Sequence, residues 1–190
     1  MRLIHTDIDG VVILEPEVYA DDRGYFFESF SELRFREHTG IETRFVQDNE
    51  SRSAAGVVRG LHFQLPPHAQ SKLVRVIEGE VLDVAVDIRR GSPTFGRYVA
   101  VTLSGENHRQ LFIPRGFAHG FVAHKESIVA YKCDAYYAPE CEGAIRWDDP
   151  ALAIDWGIAP NEATLSAKDL KSLTLGECGE LFDYNTDYYA

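Results

Sequence analysis

Cysteine, tryptophan and methionine are scarce in this chain. Its 190 residues include three cysteines, two tryptophans and one methionine. The cysteines (Cys133, Cys141 and Cys178) are odd in number and lack the spacing of a zinc motif, so we expect neither a disulfide framework nor a structural zinc site. Unpaired thiols are typical of a reducing compartment, and we predict a cytoplasmic location.

Long hydrophobic runs and excess positive charge are also missing. No apolar segment approaches the roughly 18 residues of a membrane span. The start, MRLIHTDIDGVVIL, has no basic stretch followed by an apolar run, so we do not expect a secretory signal. A net charge of -11 argues against nonspecific binding to nucleic acid, although a few local cations could hold one diphosphate. We therefore expect neither a membrane nor a nucleic-acid partner.

Several common catalytic motifs are absent. The chain has no Walker loop, no GxGxxG, no HExxH and no GxSxG. These absences argue against an NTPase, a Rossmann oxidoreductase, a zinc peptidase and an α/β-hydrolase.

Strand-forming runs dominate what is present. Turn residues such as Gly91-Ser92-Pro93 separate apolar or β-branched runs at residues 43–47, 57–64, 73–77, 81–88, 98–103, 110–114, 120–123 and 128–137. Many short strands at this spacing predict a mainly β fold, either a sandwich or a barrel. We see no repeat or linker and expect one domain over residues 1–190, with a loosely held acidic tail from Gly176 onward.

Helical signals are few. Residues 31–39 predict a short helix with Ser31 as N-cap and Gly40 at its end. Residues 166–172 predict another, with Ser166 as N-cap and Asp169 at the third helical position.

Two segments carry candidate catalytic residues. Residues 59–64 read RGLHFQ, and residues 113–121 contain the Pro-x-Gly-x-x-His pattern of cupin barrels, which aims His119 into the barrel mouth. A metal-binding cupin often has two histidines in its first motif, but here the first motif has only His62, and Gln64 stands where the second is expected. A divalent ion normally takes three or more protein ligands, so we predict no metal.

The two-residue period of a strand tests which side chains share a face. Tyr131, Cys133 and Tyr137 share one, but their strand must bend if both tyrosines touch one ligand. Arg59 and His62 have opposite parity, so a bulge at Gly60 is required if both line one cavity. The alternative is that Arg59 faces solvent.

The chain resembles the dTDP-4-dehydrorhamnose 3,5-epimerase family of cupin-type enzymes. The similar stretches are residues 22–28, 45–49, 59–64, 72–75, 79–88, 92–96, 114–121, 131–137 and 165–169, whereas residues 65–70 and the C-terminal end lack the shared pattern. The resemblance implies a cupin-type jelly-roll β-barrel or sandwich with a few short helices. It also implies a cofactor-free isomerase that converts dTDP-4-keto-6-deoxyglucose to dTDP-4-keto-L-rhamnose. It further implies a homodimer, often with strand exchange at its N-terminal part.

The resemblance also assigns roles to matching residues. His62 matches the general base, Asp169 the carboxylate that orients it, and Tyr131 the general acid. Lys72 and His119 match residues beside the sugar. Further matches to nucleotide and sugar contacts are Arg23, Glu28, Gln47, Asp48, Asn49, Arg59, Glu142 and Lys168, with Tyr137 as the aromatic that stacks on thymine.

The chemistry of such a substrate explains these residue types. A ketone at C4 of the sugar acidifies the hydrogens on C3 and C5, so a base must remove a proton from one face and an acid must return one to the other. Each positioned acid or base typically contributes about 10²–10⁴-fold. Lys72 is the candidate for the fixed positive charge beside the enolate oxygen.

Other interpretations remain open from the sequence. The protein could be an epimerase acting at one carbon only, a metal-dependent cupin enzyme, or a noncatalytic barrel that binds a sugar nucleotide. Individual residues also have purely structural interpretations: His119 as a turn cap, Tyr131 as barrel lining, Asp169 as the start of a helix, Lys168 as a surface lysine, and Asp83 as either a partner of His119 or an outward polar residue.

Overall fold

Antiparallel β-strands are the main regular structure in the computed structural model, which describes residues 1–190. Two sheets carry eleven of the strands. The strands are β1 (Arg2–His5), β2 (Val12–Glu15), β3 (Tyr19–Asp21), β4 (Gly24–Phe26), β5 (Gln47–Ser53), β6 (Val58–Gln64), β7 (Lys72–Glu78), β8 (Glu80–Asp87), β9 (Arg89–Arg90), β10 (Tyr98–Ser104), β11 (Gln110–Ile113), β12 (Phe117–Ala123), β13 (Ser127–Cys133), β14 (Glu142–Ala144) and β15 (Phe182–Asp183).

The two large sheets pack face to face. One has the strand order β1-β2-β11-β7-β13-β5 and the other β10-β8-β12-β6-β14. A cluster of buried apolar residues from both sheets, including Val74, Ala85, Phe121 and Val129, fills the space between them. The mainly β, cupin-like fold is therefore confirmed, in the form of two separate sheets that make a sandwich.

The five-stranded sheet is covered on its outer face as well. Along β8, Val84 and Val86 point to this outer face and pack against Trp147, Trp156 and other residues of the C-terminal segment. Because both faces of the sheet are covered, every residue of β12 is buried. This double burial explains why apolar residues of β8 and β12 point to both faces of the sheet.

The C-terminal tail is docked, which corrects the expectation that it is loosely held. Phe182 is 2% exposed, and β15 pairs in parallel with β9. The hydroxyl of Tyr189 lies 2.6 Å from the Ser71 hydroxyl and accepts a hydrogen bond from the backbone N–H of Arg115. The aromatic residues that made the tail look unusual in sequence are what hold it to the sheet.

Most strand predictions are confirmed, but some boundaries differ. Residues 43–46 form no strand, since β5 begins at Gln47. The predicted strand at 128–137 ends at Cys133. The sequence analysis missed the N-terminal strands β1 to β4, of which the β3–β4 hairpin belongs to neither large sheet.

The first helix prediction is confirmed and the second is too long. Helix α1 (Glu32–Thr39) has Ser31 as N-cap and ends at Gly40, whose φ of 69° suits glycine. The second helix is a single 3₁₀ turn at Asp169–Lys171, although the Ser166 hydroxyl does accept a hydrogen bond from the Asp169 N–H. No helix of the chain has the length and apolar character needed to cross a membrane.

Candidate active site

The predicted base and acid lie on different sheets and line the same cavity. His62 is on β6 of the five-stranded sheet, and Tyr131 is on β13 of the six-stranded sheet. Both side chains line the space between the sheets, together with Lys72. A ring bound in this space would have one of these groups on each side.

A bulge at Gly60 turns His62 into the cavity. In the pairing of β6 with β12, His62 lies opposite His119 and Arg59 opposite Phe121, so β6 has one extra residue between these two pairs. Gly60 has φ 109°, and a Cβ there would lie 2.5 Å from the carbonyl oxygen of His119. The predicted bulge is confirmed, and the close approach of β12 requires glycine.

A carboxylate holds the His62 ring. Oδ1 of Asp169 lies 2.6 Å from Nε2 of His62. The Ser166 hydroxyl donates to Oδ2 of Asp169 at 2.7 Å. Burial alone would raise the pKa of Asp169, but the hydrogen bonds from His62 and Ser166 outweigh it and the pKa is lowered. Asp169 is therefore ionised beside His62.

Lys72 stands beside the predicted acid on the six-stranded sheet. It is paired with Cys133 across β7 and β13, which puts it on the same face as Tyr131. Its Nζ lies 6.0 Å from the centre of the Tyr131 ring. Burial lowers the pKa of Lys72 and raises that of Tyr131. Burial also raises the pKa of the Cys133 thiol to about 11, which leaves that group uncharged.

His119 is bound to a second buried carboxylate. Its Nε2 lies 2.8 Å from Oδ1 of Asp83, and both residues are buried. Asp83 is thus a partner of His119 and not an outward polar residue. Burial lowers the pKa of His119, with the Asp83 charge opposing this shift only in part. The second oxygen of Asp83 is buried and has no hydrogen-bond partner.

A second group of predicted residues forms the cavity rim. The Tyr137 hydroxyl donates to Oε2 of Glu142 at 2.8 Å, and Nζ of Lys168 lies 2.5 Å from the same oxygen. Gln47 accepts a hydrogen bond from the Tyr137 N–H and donates to Asn49. Tyr137 lies beyond the end of β13 in a loop, which is how it reaches the cavity that Tyr131 lines.

Arg59 also lines the cavity, near His62 and Tyr131. Its Nε donates to the Ser53 hydroxyl at 3.0 Å, and its Nη2 donates to the Arg52 carbonyl. The residue is exposed, so its guanidinium reaches both solvent and the mouth of the cavity.

The side-chain amide of Gln64 is hydrogen-bonded to the surrounding backbone. Its Nε2 donates to the carbonyls of His68 and Tyr136, and its Oε1 accepts from the Ala138 N–H. The amide that replaces the second cupin histidine therefore braces two loops.

Three predicted contact residues do not lie in this cavity. Asp48 is on the outer face of the six-stranded sheet, where it pairs with Lys132 at 2.8 Å. Arg23 is in the exposed β3–β4 turn and pairs with Asp21. Glu28 follows that hairpin and pairs with Arg34.

Ser51 and Phe121 line the cavity but were not identified from the sequence. The Ser51 hydroxyl is buried without a hydrogen-bond partner. The two-residue period contained the signal, because Ser51 shares a face with Gln47 and Asn49, and Phe121 shares one with His119.

Comparison with known proteins decides the family. The sequence profile of dTDP-4-dehydrorhamnose 3,5-epimerases matches residues 5–177. The chain belongs to this family. A family member from Methanothermobacter thermautotrophicus is 55% identical over 170 residues, which cover 88% of this chain and 91% of the relative.

Solved structures of epimerases share the fold. The dTDP-6-deoxy-D-glucose-3,5-epimerase of Legionella pneumophila, solved with dTDP-4-keto-L-rhamnose, is 52% identical, with a TM-score of 0.94 and coverage of 97% of this chain and 99% of its own. The 3'-monoepimerase ChmJ of Streptomyces bikiniensis, solved with dTDP-quinovose, is 33% identical, with a TM-score of 0.83 and coverage of 90% and 86%. This epimerase fold therefore serves epimerases of different regiochemistry.

Proposed function

We propose that this protein epimerises C3 and C5 of dTDP-4-keto-6-deoxyglucose to give dTDP-4-keto-L-rhamnose. The observation that carries the proposal is the placement of His62 and Tyr131 on facing sheets around one cavity. Inversion at a carbon beside a ketone needs a base on one side of the sugar ring and an acid on the other. The reaction is redox-neutral, so these side chains need no cofactor.

His62 acts as the base for each carbon. Its Nε2 holds a proton in the bond to Asp169, which leaves Nδ1 free to take the proton from C3 or C5. The Asp169 carboxylate then stabilises the imidazolium that forms. Lys72 supplies positive charge for the oxygen of the enolate.

Tyr131 returns a proton from the opposite face. Burial raises the pKa of Tyr131, so the phenol is protonated at neutral pH and is ready to donate to the basic enolate carbon. Each inversion thus removes one proton through His62 and adds one through Tyr131. Solvent resets both groups between the two steps.

The rim residues fit the nucleotide. Tyr137 is exposed and presents its ring at the cavity mouth, where it would stack on thymine. Lys168 and Arg59 supply positive charge for the diphosphate, and Gln47 and Asn49 supply amide groups.

We also propose a homodimer in which the N-terminal hairpin reaches the partner subunit. The β3–β4 hairpin pairs with neither large sheet and exposes Tyr25 and Phe26. Arg23 and Glu28 lie on or beside it, away from their own cavity. Strand exchange would bring them to the partner's cavity. Residues 1–190 would form one domain in each subunit. We place the protein in the cytoplasm, a reducing compartment in which its three free thiols would stay unpaired.

The deciding experiment follows solvent deuterium into the sugar. The purified protein is incubated with dTDP-4-keto-6-deoxyglucose in D₂O, and proton NMR monitors C3 and C5. The proposal expects deuterium at both carbons, with a product that the reductase for the L-rhamno configuration accepts. No exchange at either carbon by folded, nucleotide-binding protein would refute it.

A second candidate is a single-site epimerase, which the shared fold of ChmJ favours. His62 and Tyr131 would serve that reaction equally well. Deuterium at one carbon alone, with inversion at that carbon only, would support this candidate over the first.

A further inference from the structure

Three side chains that commonly bind metals meet beside the cavity rim, outside the catalytic group. The imidazole of His68, the carboxylate of Glu140 and the thiol of Cys141 have their donor atoms within 4.8 Å of one another. His68 and Glu140 are exposed and Cys141 is partly buried. None of the three groups takes part in a side-chain hydrogen bond or an ion pair of the chain, so all are available to a ligand.

A rigid frame holds the two segments that carry these groups. The backbone N–H of Leu65 donates to the Cys141 carbonyl at 2.8 Å. The buried amide of Gln64 bonds the His68 carbonyl at 2.7 Å and the Ala138 N–H at 2.9 Å. The frame fixes the backbone around all three donors, and only their side chains must adjust.

The donor set selects the kind of ion. An imidazole, a thiolate and a carboxylate suit zinc, whereas Mg²⁺ and Ca²⁺ prefer oxygen ligands alone. Zinc takes such ligands at about 2.0–2.3 Å, so small rotations of the three side chains must bring their donor atoms closer together. We propose that His68, Glu140 and Cys141 bind one zinc-class divalent cation, with water in the fourth position and release of the thiol proton.

The site joins two loops beside the nucleotide rim. His68 lies in the segment 65–70, and Cys141 directly precedes Glu142, which holds Tyr137 and Lys168. The bound ion ties these segments together and stiffens the rim. Sequence spacing could not reveal the site, because His68 is remote from Cys141 along the chain. His68 also lies in residues 65–70, which lack the pattern shared with the family.

The test uses untagged, metal-free protein titrated with Co²⁺, followed by displacement with Zn²⁺. We expect a thiolate-to-cobalt charge-transfer band that saturates at one ion per chain and disappears when zinc is added. Cys141→Ser should abolish the band, and His68→Ala should weaken binding by roughly tenfold or more. Cys178→Ser, a change at a thiol buried in the core, is the matched control and should keep the band.

A second readout is thermal unfolding. Zinc should raise the Tm of the unmodified protein and of Cys178→Ser, and should leave the Tm of Cys141→Ser unchanged. Absence of a stoichiometric band would overturn the proposal, as would a band that survives in Cys141→Ser. Loss of the band in Cys133→Ser would place the ion in the catalytic cavity and would also overturn it.

Discussion

Nε2 of His62 lies 2.6 Å from Oδ1 of Asp169, although 107 residues separate them in the chain. His62 comes from the bulged strand β6, and Asp169 from a 3₁₀ turn near the C-terminus. The bond selects the tautomer in which Nδ1 has no proton. A nitrogen in that state can act as a base, and the ionised carboxylate makes the resulting cation less costly.

The first prediction concerns this pair. In Asp169→Asn the amide cannot stabilise the imidazolium, so kcat should fall by roughly 10²-fold or more while KM changes little. Steady-state kinetics of the folded variants measure kcat and KM separately. Ser166→Ala, which removes only the hydroxyl that orients Asp169, should cost much less. An Asp169→Asn enzyme with unchanged kcat would assign Asp169 a purely structural role.

The second prediction separates the base from the acid. His62→Asn should lose deuterium exchange at both carbons, because no group remains to remove a proton. Tyr131→Phe should lose epimerisation by about 10²–10⁴-fold but retain exchange, since His62 can return a solvent deuteron to the face it took the proton from. NMR in D₂O measures exchange and inversion together. Equal loss of both in Tyr131→Phe would contradict this division of roles.

The third prediction is a pH dependence set by Lys72. Burial lowers the pKa of Lys72 below its usual 10.5, so the positive charge beside the enolate should be lost at a lower pH than for a free lysine. Tyr131 keeps its proton across this window because burial raises its pKa above 10.0. Lys72→Arg keeps its charge throughout, so the alkaline limb of kcat should move to higher pH. Identical alkaline limbs in the two enzymes would show that another group controls the limb.

The fourth prediction tests the exchanged hairpin. Arg23→Ala should raise KM and leave little activity at low substrate, and His62→Asn should be inactive. Co-expression of the two should restore about a quarter of normal activity, because half of the dimers are mixed and each of these has one intact cavity. A co-expressed pair that is no more active than the separate variants would mean that Arg23 does not serve the partner's cavity.

The fifth prediction concerns the docked tail. Phe182 is 2% exposed and packs against Phe63 and Tyr188, so Phe182→Ala should lower the free energy of unfolding by about 3–5 kcal/mol. Urea denaturation measures the change. Tyr184→Ala, at a partly exposed ring of the same tail, is the control and should cost clearly less. Equal, small effects from both would mean that the tail contributes little to stability.

Local patterns in the sequence were enough to predict the class of fold. Apolar or β-branched runs separated by turn residues predicted most strands. The opposite parity of Arg59 and His62 predicted the bulge at Gly60. The resemblance to the family then supplied roles for His62, Tyr131 and Asp169, and the structure places all three around one cavity.

Tertiary structure alone decided what depends on packing between distant segments. The sequence could not show that Asp83 binds His119 or that the tail covers the five-stranded sheet. The cluster of His68, Glu140 and Cys141 belongs to the same class. The sequence therefore determined which side chains each strand carries and which of them share a face. The pairing of the strands and the packing of the two sheets determined which groups meet, because side chains remote in the chain become neighbours only through that packing.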